Sequence, residues 1–89
     1  MADAERIKRK ISEIANRRRN VTAEEIEWVV NQLREYYQVS VRQATHGTLF
    51  TVGSRRFMIC THNPGSKQVK RDYVDSFIDE MIELGWYED

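Results

Sequence analysis

The spacing of apolar residues switches from a helical period to a two-residue period and back, and this switch constrains the fold more than any other feature. Apolar residues recur every three or four positions in 22–36 and again in 69–84. Between these segments, the apolar residues of 38–44, 48–53 and 56–61 fit short strands instead. The pattern predicts two helices that cover one face of a three-stranded antiparallel sheet.

Local signals mark where these elements begin and end. Thr22 and Glu25 have the spacing of a capping box at the start of a helix. Gly53-Ser54 has glycine first, which suits a type II′ hairpin turn. The segment 63–66, with proline second and glycine third, is typical of a type II turn. Gly85 supplies a left-handed stop for the last helix, after which the chain can fold back.

A further helix is predicted ahead of these elements, over about 2–18. Its apolar stripe is narrow and its other faces are basic, so it either docks on the domain or forms a loose arm. We therefore divide the chain into a basic helix or arm, 1–20, and an α-β-β-β-α domain, 21–89. The predicted class is a two-layer α+β fold with the element order α-α-β-β-β-α. The isoleucines of the narrow stripe are Ile7, Ile11 and Ile14.

Length and cysteine content exclude several classes of protein. A chain of 89 residues fits one small domain. No apolar run approaches the ~20 residues of a membrane helix, and no signal-peptide stretch is recognised, so no membrane association is expected. The single cysteine, Cys60, cannot form an internal disulfide, so a reducing, cytoplasmic location is expected. Its apolar neighbours indicate a packing role for this thiol.

The net charge is zero, but the charges are strongly segregated along the chain. Residues 1–20 hold seven basic and three acidic residues, whereas 72–89 hold seven acidic and no basic ones. The span 36–71 has six basic residues and no acid. Such a span predicts contacts with phosphate groups, although a solvated surface gives the same pattern. Its basic residues are Arg42, Arg55, Arg56, Lys67, Lys70 and Arg71.

Two histidines are the candidates for acid–base chemistry. His46 follows Thr45 in a predicted turn between strands, so its imidazole is expected to be exposed. His62 closes the third strand, and in an antiparallel meander that position neighbours the start of the second strand. The two rings could therefore form an acid–base pair at one end of the sheet, or only a polar sheet end.

No cofactor or metal is expected from the motifs. Two histidines and one cysteine without clustered carboxylates do not supply the three or four close ligands that zinc needs. Glycine-rich phosphate loops and hydrolase nucleophile motifs are absent from the sequence. The basic segment 65–71 leads into the last helix, where it serves either as a phosphate clamp or as a set of solvated side chains ahead of the helix.

Several motifs between Thr22 and Gly85 resemble those of the HicA-like toxins, small proteins that cleave mRNA. That family has an amphipathic helix, a strand, a hydroxyl–histidine motif opening the next strand, a hairpin, a loop with proline and histidine, and a last helix ending in glycine. Ala44 and Gly47 stand where the family has a glycine and often a second histidine. The matching positions are Thr45-His46, Phe50, His62-Asn63-Pro64, Lys67, Lys70 and Leu84-Gly85.

The resemblance implies a fold like that of double-stranded-RNA-binding domains, metal-independent RNA cleavage, and an antitoxin protein as partner. We therefore interpret the chain as an RNA-binding protein with ribonuclease activity, in which His46 and His62 are catalytic. Two alternatives remain open: a noncatalytic nucleic-acid-binding module and a small protein-interaction domain. The residues expected to contact RNA are Arg42, Thr45, Arg55, Arg56, Lys67, Lys70 and Arg71.

Overall fold

The computed structural model describes residues 3–61 and 65–88. Within these ranges it has three helices and three strands in the order α-α-β-β-β-α, so the predicted order and the α+β class are confirmed. No helix in these ranges is long and apolar enough to cross a membrane. The elements are α1 (Ala4–Arg17), α2 (Ala23–Leu33), β1 (Val39–Ala44), β2 (Gly47–Val52), β3 (Arg55–Ile59) and α3 (Arg71–Glu83).

The strands form an antiparallel sheet in the order β1-β2-β3, and two tight turns connect them. Gly53-Ser54 joins β2 to β3, with a φ of +60° at the glycine and no positive φ at the serine. This is the type II′ geometry that the sequence predicts. Thr45-His46 joins β1 to β2. Because one turn precedes β2 and the other follows it, the two turns lie at opposite ends of the sheet.

One face of the sheet carries the aromatic core, and α2 and α3 pack against it. The rings of Phe50 and Phe57 stack with their centroids 5.3 Å apart. Phe57 also meets Phe77 of α3 edge to face at 5.3 Å. Since side chains alternate along a strand, Leu49 and Met58 lie on the opposite face, where they are half-buried. The two-layer arrangement follows from this division between the two faces.

α1 packs against α2 and α3, which decides between the docked helix and the loose arm that the sequence left open. Arg18 Nη1 lies 2.7 Å from Asp75 Oδ1 of α3, and Lys10 Nζ lies 3.0 Å from Glu25 Oε2 of α2. These ion pairs link α1 to both neighbouring helices. The residues of α1 that are completely inaccessible to solvent are Ile7, Ile11 and Ile14.

The predicted start of α2 and the predicted end of α3 are confirmed, whereas α2 ends at Leu33, three residues before the predicted end at 36. Thr22 Oγ1 accepts a hydrogen bond from the Glu25 backbone N–H, and the Glu25 carboxylate accepts one from the Thr22 N–H, completing the capping box. Gly85 follows α3 with a φ of +85°. The Trp86 N–H then donates to the Met81 carbonyl at 2.8 Å, so the chain folds back over the last turn.

α3 begins at Arg71, two residues later than predicted, because the preceding residues are extended. Gln68 forms an isolated β-bridge with Thr22, and Val69 forms one with Thr61. This short segment therefore lies between the start of α2 and the end of β3. Its backbone groups form hydrogen bonds with these neighbouring segments instead of the helical hydrogen bonds of α3.

Candidate nucleic-acid interface

A cleft of about 590 Å³ opens at the end of the sheet where β1 turns into β2. The turn forms one wall, and the end of β3, the first residue of α2 and the start of α3 form the others. Thr45 and His46 of the turn line this cleft together with Lys70 and Tyr73. Three residues that the sequence assigns to the site, Thr45, His46 and Lys70, therefore lie in one place.

The turn that carries His46 is short, and its side chains are open to solvent. Ala44 pairs with Gly47, so only Thr45 and His46 form the turn. Both residues are exposed, as the sequence predicts for the imidazole. Within the part of the chain that the structure describes, no side chain or backbone group pairs with the imidazole. The ring is accessible to a molecule that enters the cleft.

Gly47 permits the close approach of β2 to β3 beside this turn. A Cβ atom at this position would lie 2.5 Å from the Ile59 carbonyl oxygen and 2.6 Å from Cys60 Sγ. Both distances are too short for any side chain, so the sheet end requires glycine here. This role of Gly47 was not predicted from the sequence, although a glycine within a strand pattern is itself a signal of close backbone approach.

Three backbone hydrogen bonds hold the segment that brings Lys70 to the cleft. The Lys70 N–H donates to the Cys60 carbonyl at 2.9 Å, at the end of β3. The Val69 N–H donates to the Val21 carbonyl at 2.8 Å, and the N–H of Ala23 donates to the carbonyl of residue 67 at 2.9 Å. Lys70 is thus positioned by both the sheet and the start of α2, while its side chain is exposed.

Tyr73 is a lining residue that the sequence analysis assigned only to the apolar stripe of the last helix. Its side-chain hydrogen bond to the buried Cys60 thiol raises the pKa of Tyr73, and burial acts in the same direction. The phenol therefore stays protonated well above neutral pH. A half-buried tyrosine usually places its hydroxyl on a polar partner, and this preference was the available signal.

Lys70 supplies a positive charge to the described lining of the cleft, which includes no carboxylate. The other two cations near the start of α3 face acids. Lys67 Nζ lies 3.9 Å from Glu24 Oε1, and Arg71 Nε lies 3.9 Å from Asp75 Oδ2. Both pairs are well exposed, so water and salt weaken their attraction.

The remaining predicted contacts lie away from the cleft. Arg55 and Arg56 follow the Gly53-Ser54 turn, at the opposite end of the sheet from His46. Arg55 Nε lies 2.6 Å from Glu80 Oε1, and this hydrogen bond raises the pKa of the guanidinium group. Arg42 and Arg56 are exposed on the sheet face that points away from the helices. The structure does not gather the six cations of 36–71 into one site.

His62, and the Asn63-Pro64 part of the predicted turn, lie outside the described residues. The predicted pairing of His62 with His46 therefore stays a prediction. Within 3–61 and 65–88, no cluster of three or more histidine, cysteine or acidic side chains is placed to hold a metal ion.

Comparison of the chain with protein-family models, curated protein sequences and solved structures finds no match. The resemblance to HicA-like toxins accordingly depends on the quoted motifs alone.

Proposed function

We propose that the protein binds RNA through the cleft beside the β1–β2 turn, called the end cleft below, with a backbone phosphate beside Lys70 and the ribose beside His46. One observation carries the proposal: the β1–β2 turn and the start of α3 bring an imidazole, a hydroxyl and an ammonium group to one cleft, with no carboxylate along its described lining. Lysine and threonine side chains are common donors to phosphate oxygens.

Lys70 is the residue best placed to attract a phosphate. No acid within the described residues forms an ion pair with it, so a phosphate does not have to displace a carboxylate. The Thr45 hydroxyl across the cleft can donate to a second phosphate oxygen. Each phosphate that is neutralised adds about 0.7 to the slope of log affinity against log salt for a single strand.

We further assign His46 the proton transfer of metal-independent RNA cleavage. In this reaction the ribose 2′-oxygen bonds to phosphorus and the bond from phosphorus to the 5′-oxygen breaks. The 2′-hydroxyl loses a proton and the leaving 5′-oxygen gains one, and imidazole is suited to either transfer near neutral pH. Lys70 stabilises the negative charge that develops on the non-bridging phosphate oxygens. The motif resemblance supports this assignment and the further proposal that an antitoxin protein covers the cleft.

A noncatalytic RNA-binding role is the second candidate, and one observation favours it. General bases in hydrolytic sites are usually oriented by a second hydrogen bond. Among the residues that the structure describes, His46 receives no such bond. Binding and cleavage therefore need separate measurements.

Binding is tested with a fluorescein-labelled RNA of twelve nucleotides, followed by anisotropy between 50 and 200 mM salt. We expect Lys70→Ala to weaken binding and to lower the salt slope by about 0.7. Arg56→Ala is the matched control, because it removes an exposed cation at the opposite end of the sheet. No binding at 50 mM salt, or equal losses in the two variants, would reject the proposal.

Cleavage is tested by gel electrophoresis of the same RNA in the presence of a chelator. His46→Ala should lower the rate by about 10²–10⁴-fold while anisotropy shows unchanged binding, since one general acid or base contributes about that factor. If the wild-type protein binds RNA and leaves it intact from pH 5 to pH 8, the noncatalytic role is correct.

A further inference from the structure

The connection between α1 and α2 carries a basic side chain that the RNA site described above does not use. Arg19 lies between Arg18 and Asn20, which adopt left-handed backbone conformations with φ of 54° and 55°. This region is uncommon outside glycine, although asparagine enters it more readily. The two residues turn the chain sharply on either side of Arg19.

Arg18 anchors this turn to the helices. Its backbone N–H donates to the Ile14 carbonyl at 2.8 Å, and its Nε donates to the Ala15 carbonyl at 2.9 Å. Its Nη1 donates to Asp75 Oδ1 of α3 at 2.7 Å. These three bonds retain a non-glycine residue in the left-handed region, so Arg19 extends from a fixed backbone position.

The α1–α2 connection runs alongside the segment that leads into α3. The Val21 carbonyl accepts from the Val69 N–H, and the β-bridge one residue further on is antiparallel. In antiparallel pairing, positions before Val21 lie beside positions after Val69. Arg18, which precedes Arg19, pairs with Asp75, and Asp75 also pairs with Arg71, so the turn that holds Arg19 lies beside the start of α3.

Arg19 is also close to the cleft along the chain. It lies four positions before Ala23, which lines the cleft. Four residues of chain span at most about 14 Å. An arginine side chain at this distance can contact a phosphate next to the one held by Lys70.

Arg19 differs from the two arginines that precede it. Arg17 pairs with Glu25, and Arg18 pairs with Asp75. Arg19 is exposed, and none of the described residues forms an ion pair or hydrogen bond with it. Its guanidinium group is therefore available to an anion from solution, whereas the other two are engaged in holding α1 to the domain.

We propose that Arg19 extends the RNA site out of the cleft and across the start of α3, so that the site binds an RNA backbone over more than one phosphate. This inference rests on the proposed function of the cleft. It gives the N-terminal helix a role in binding: α1 and its anchored turn position a cation beside the path of the RNA.

The test compares a three-nucleotide RNA with a twelve-nucleotide RNA by anisotropy. Arg19→Ala should leave the affinity for the short RNA unchanged and lower the salt slope for the long one by about 0.7. With a slope lower by about 0.7, the affinity of Arg19→Ala for the long RNA should fall about 2.6-fold less than that of the wild-type protein between 50 and 200 mM salt. Arg19→Lys should retain most of the binding, and Arg56→Ala is the matched control. Thermal unfolding checks that each variant folds.

The possible outcomes separate this inference from the function on which it rests. Equal effects of Arg19→Ala and Arg56→Ala on the long RNA, with Lys70→Ala still weakening it, would overturn the inference alone. Failure of the wild-type protein to bind either RNA would overturn both. If a polyglutamate peptide binds as tightly as the long RNA at equal charge and Arg19→Ala weakens that binding, Arg19 serves an acidic protein partner instead.

Discussion

Alanine in place of Gly47 adds one methyl group at the crowded end of the sheet, and the crowding determines the expected cost. The added Cβ would lie 2.5 Å from the Ile59 carbonyl oxygen and 2.6 Å from Cys60 Sγ, whereas ordinary contacts begin at 3.4 Å. The contact with the backbone oxygen is too short by about 0.9 Å, and that oxygen cannot rotate away. Overpacking costs roughly 1–3 kcal/mol, and we expect about 3 kcal/mol here.

The assay is thermal unfolding followed by circular dichroism. In a domain of this size, 1 kcal/mol shifts the Tm by about 4–8 °C, so Gly47→Ala should lower it by roughly 12–24 °C. Gly85→Ala is the matched control, because its Cβ would meet no atom within 4 Å and only the φ of +85° is unfavourable. That conformation costs about 1–2 kcal/mol.

A second substitution tests the mechanism of this loss. Cys60→Ala removes the sulfur but leaves the Ile59 carbonyl oxygen, so Gly47→Ala should cost less, but still destabilise, in the Cys60→Ala background. If Gly47→Ala is as stable as the wild-type protein, β2 and β3 do not approach each other as closely as described here.

Three further predictions concern stability, each measured by urea unfolding. Burial raises the pKa of Glu25, but hydrogen bonds from α1 and from a backbone N–H outweigh it and leave the pKa below its ordinary value. The ionised Glu25 carboxylate therefore stabilises the folded protein fully above that ordinary pKa, and this stabilisation is lost as pH falls through the lower pKa of the folded state. Glu25→Gln should reduce the change in the free energy of unfolding between pH 6 and pH 3. Phe57→Ala should cost about 3–5 kcal/mol, because its ring contacts two others in the core. Arg55→Ala should cost less than about 1 kcal/mol, because its ion pair is partly exposed. A larger loss for Arg55→Ala than for Phe57→Ala would contradict the expectation that core packing contributes more to stability than this ion pair.

Much of the fold is predictable from the sequence because its signals are local. The capping box at Thr22, the glycine of the Gly53-Ser54 turn and the stop at Gly85 each act within a few residues. The change of hydrophobic period places the strands within one or two residues of their observed bounds. The start of α3 was predicted too early, since the bridges of residues 68 and 69 depend on partners distant in the chain.

The candidate site is less predictable because it depends on tertiary arrangement. Proximity in the sequence grouped Arg55 and Arg56 with Lys70, but the length of β2 puts the first two at the opposite end of the sheet from His46. Conversely, Arg18 is 57 positions from Asp75 in the sequence but pairs with it, which places the turn that holds Arg19 beside the start of α3. Neither spatial arrangement can be predicted from a local sequence pattern.

Chemical-shift mapping with isotope-labelled protein tests the central claim most directly. Amide signals are recorded while the twelve-nucleotide RNA is added at 50 mM salt. We predict that the largest changes occur at Thr45, His46 and Lys70, and that the signals of the Gly53-Ser54 turn stay in place. The largest changes at that turn, or no changes anywhere, would contradict RNA binding by the end cleft.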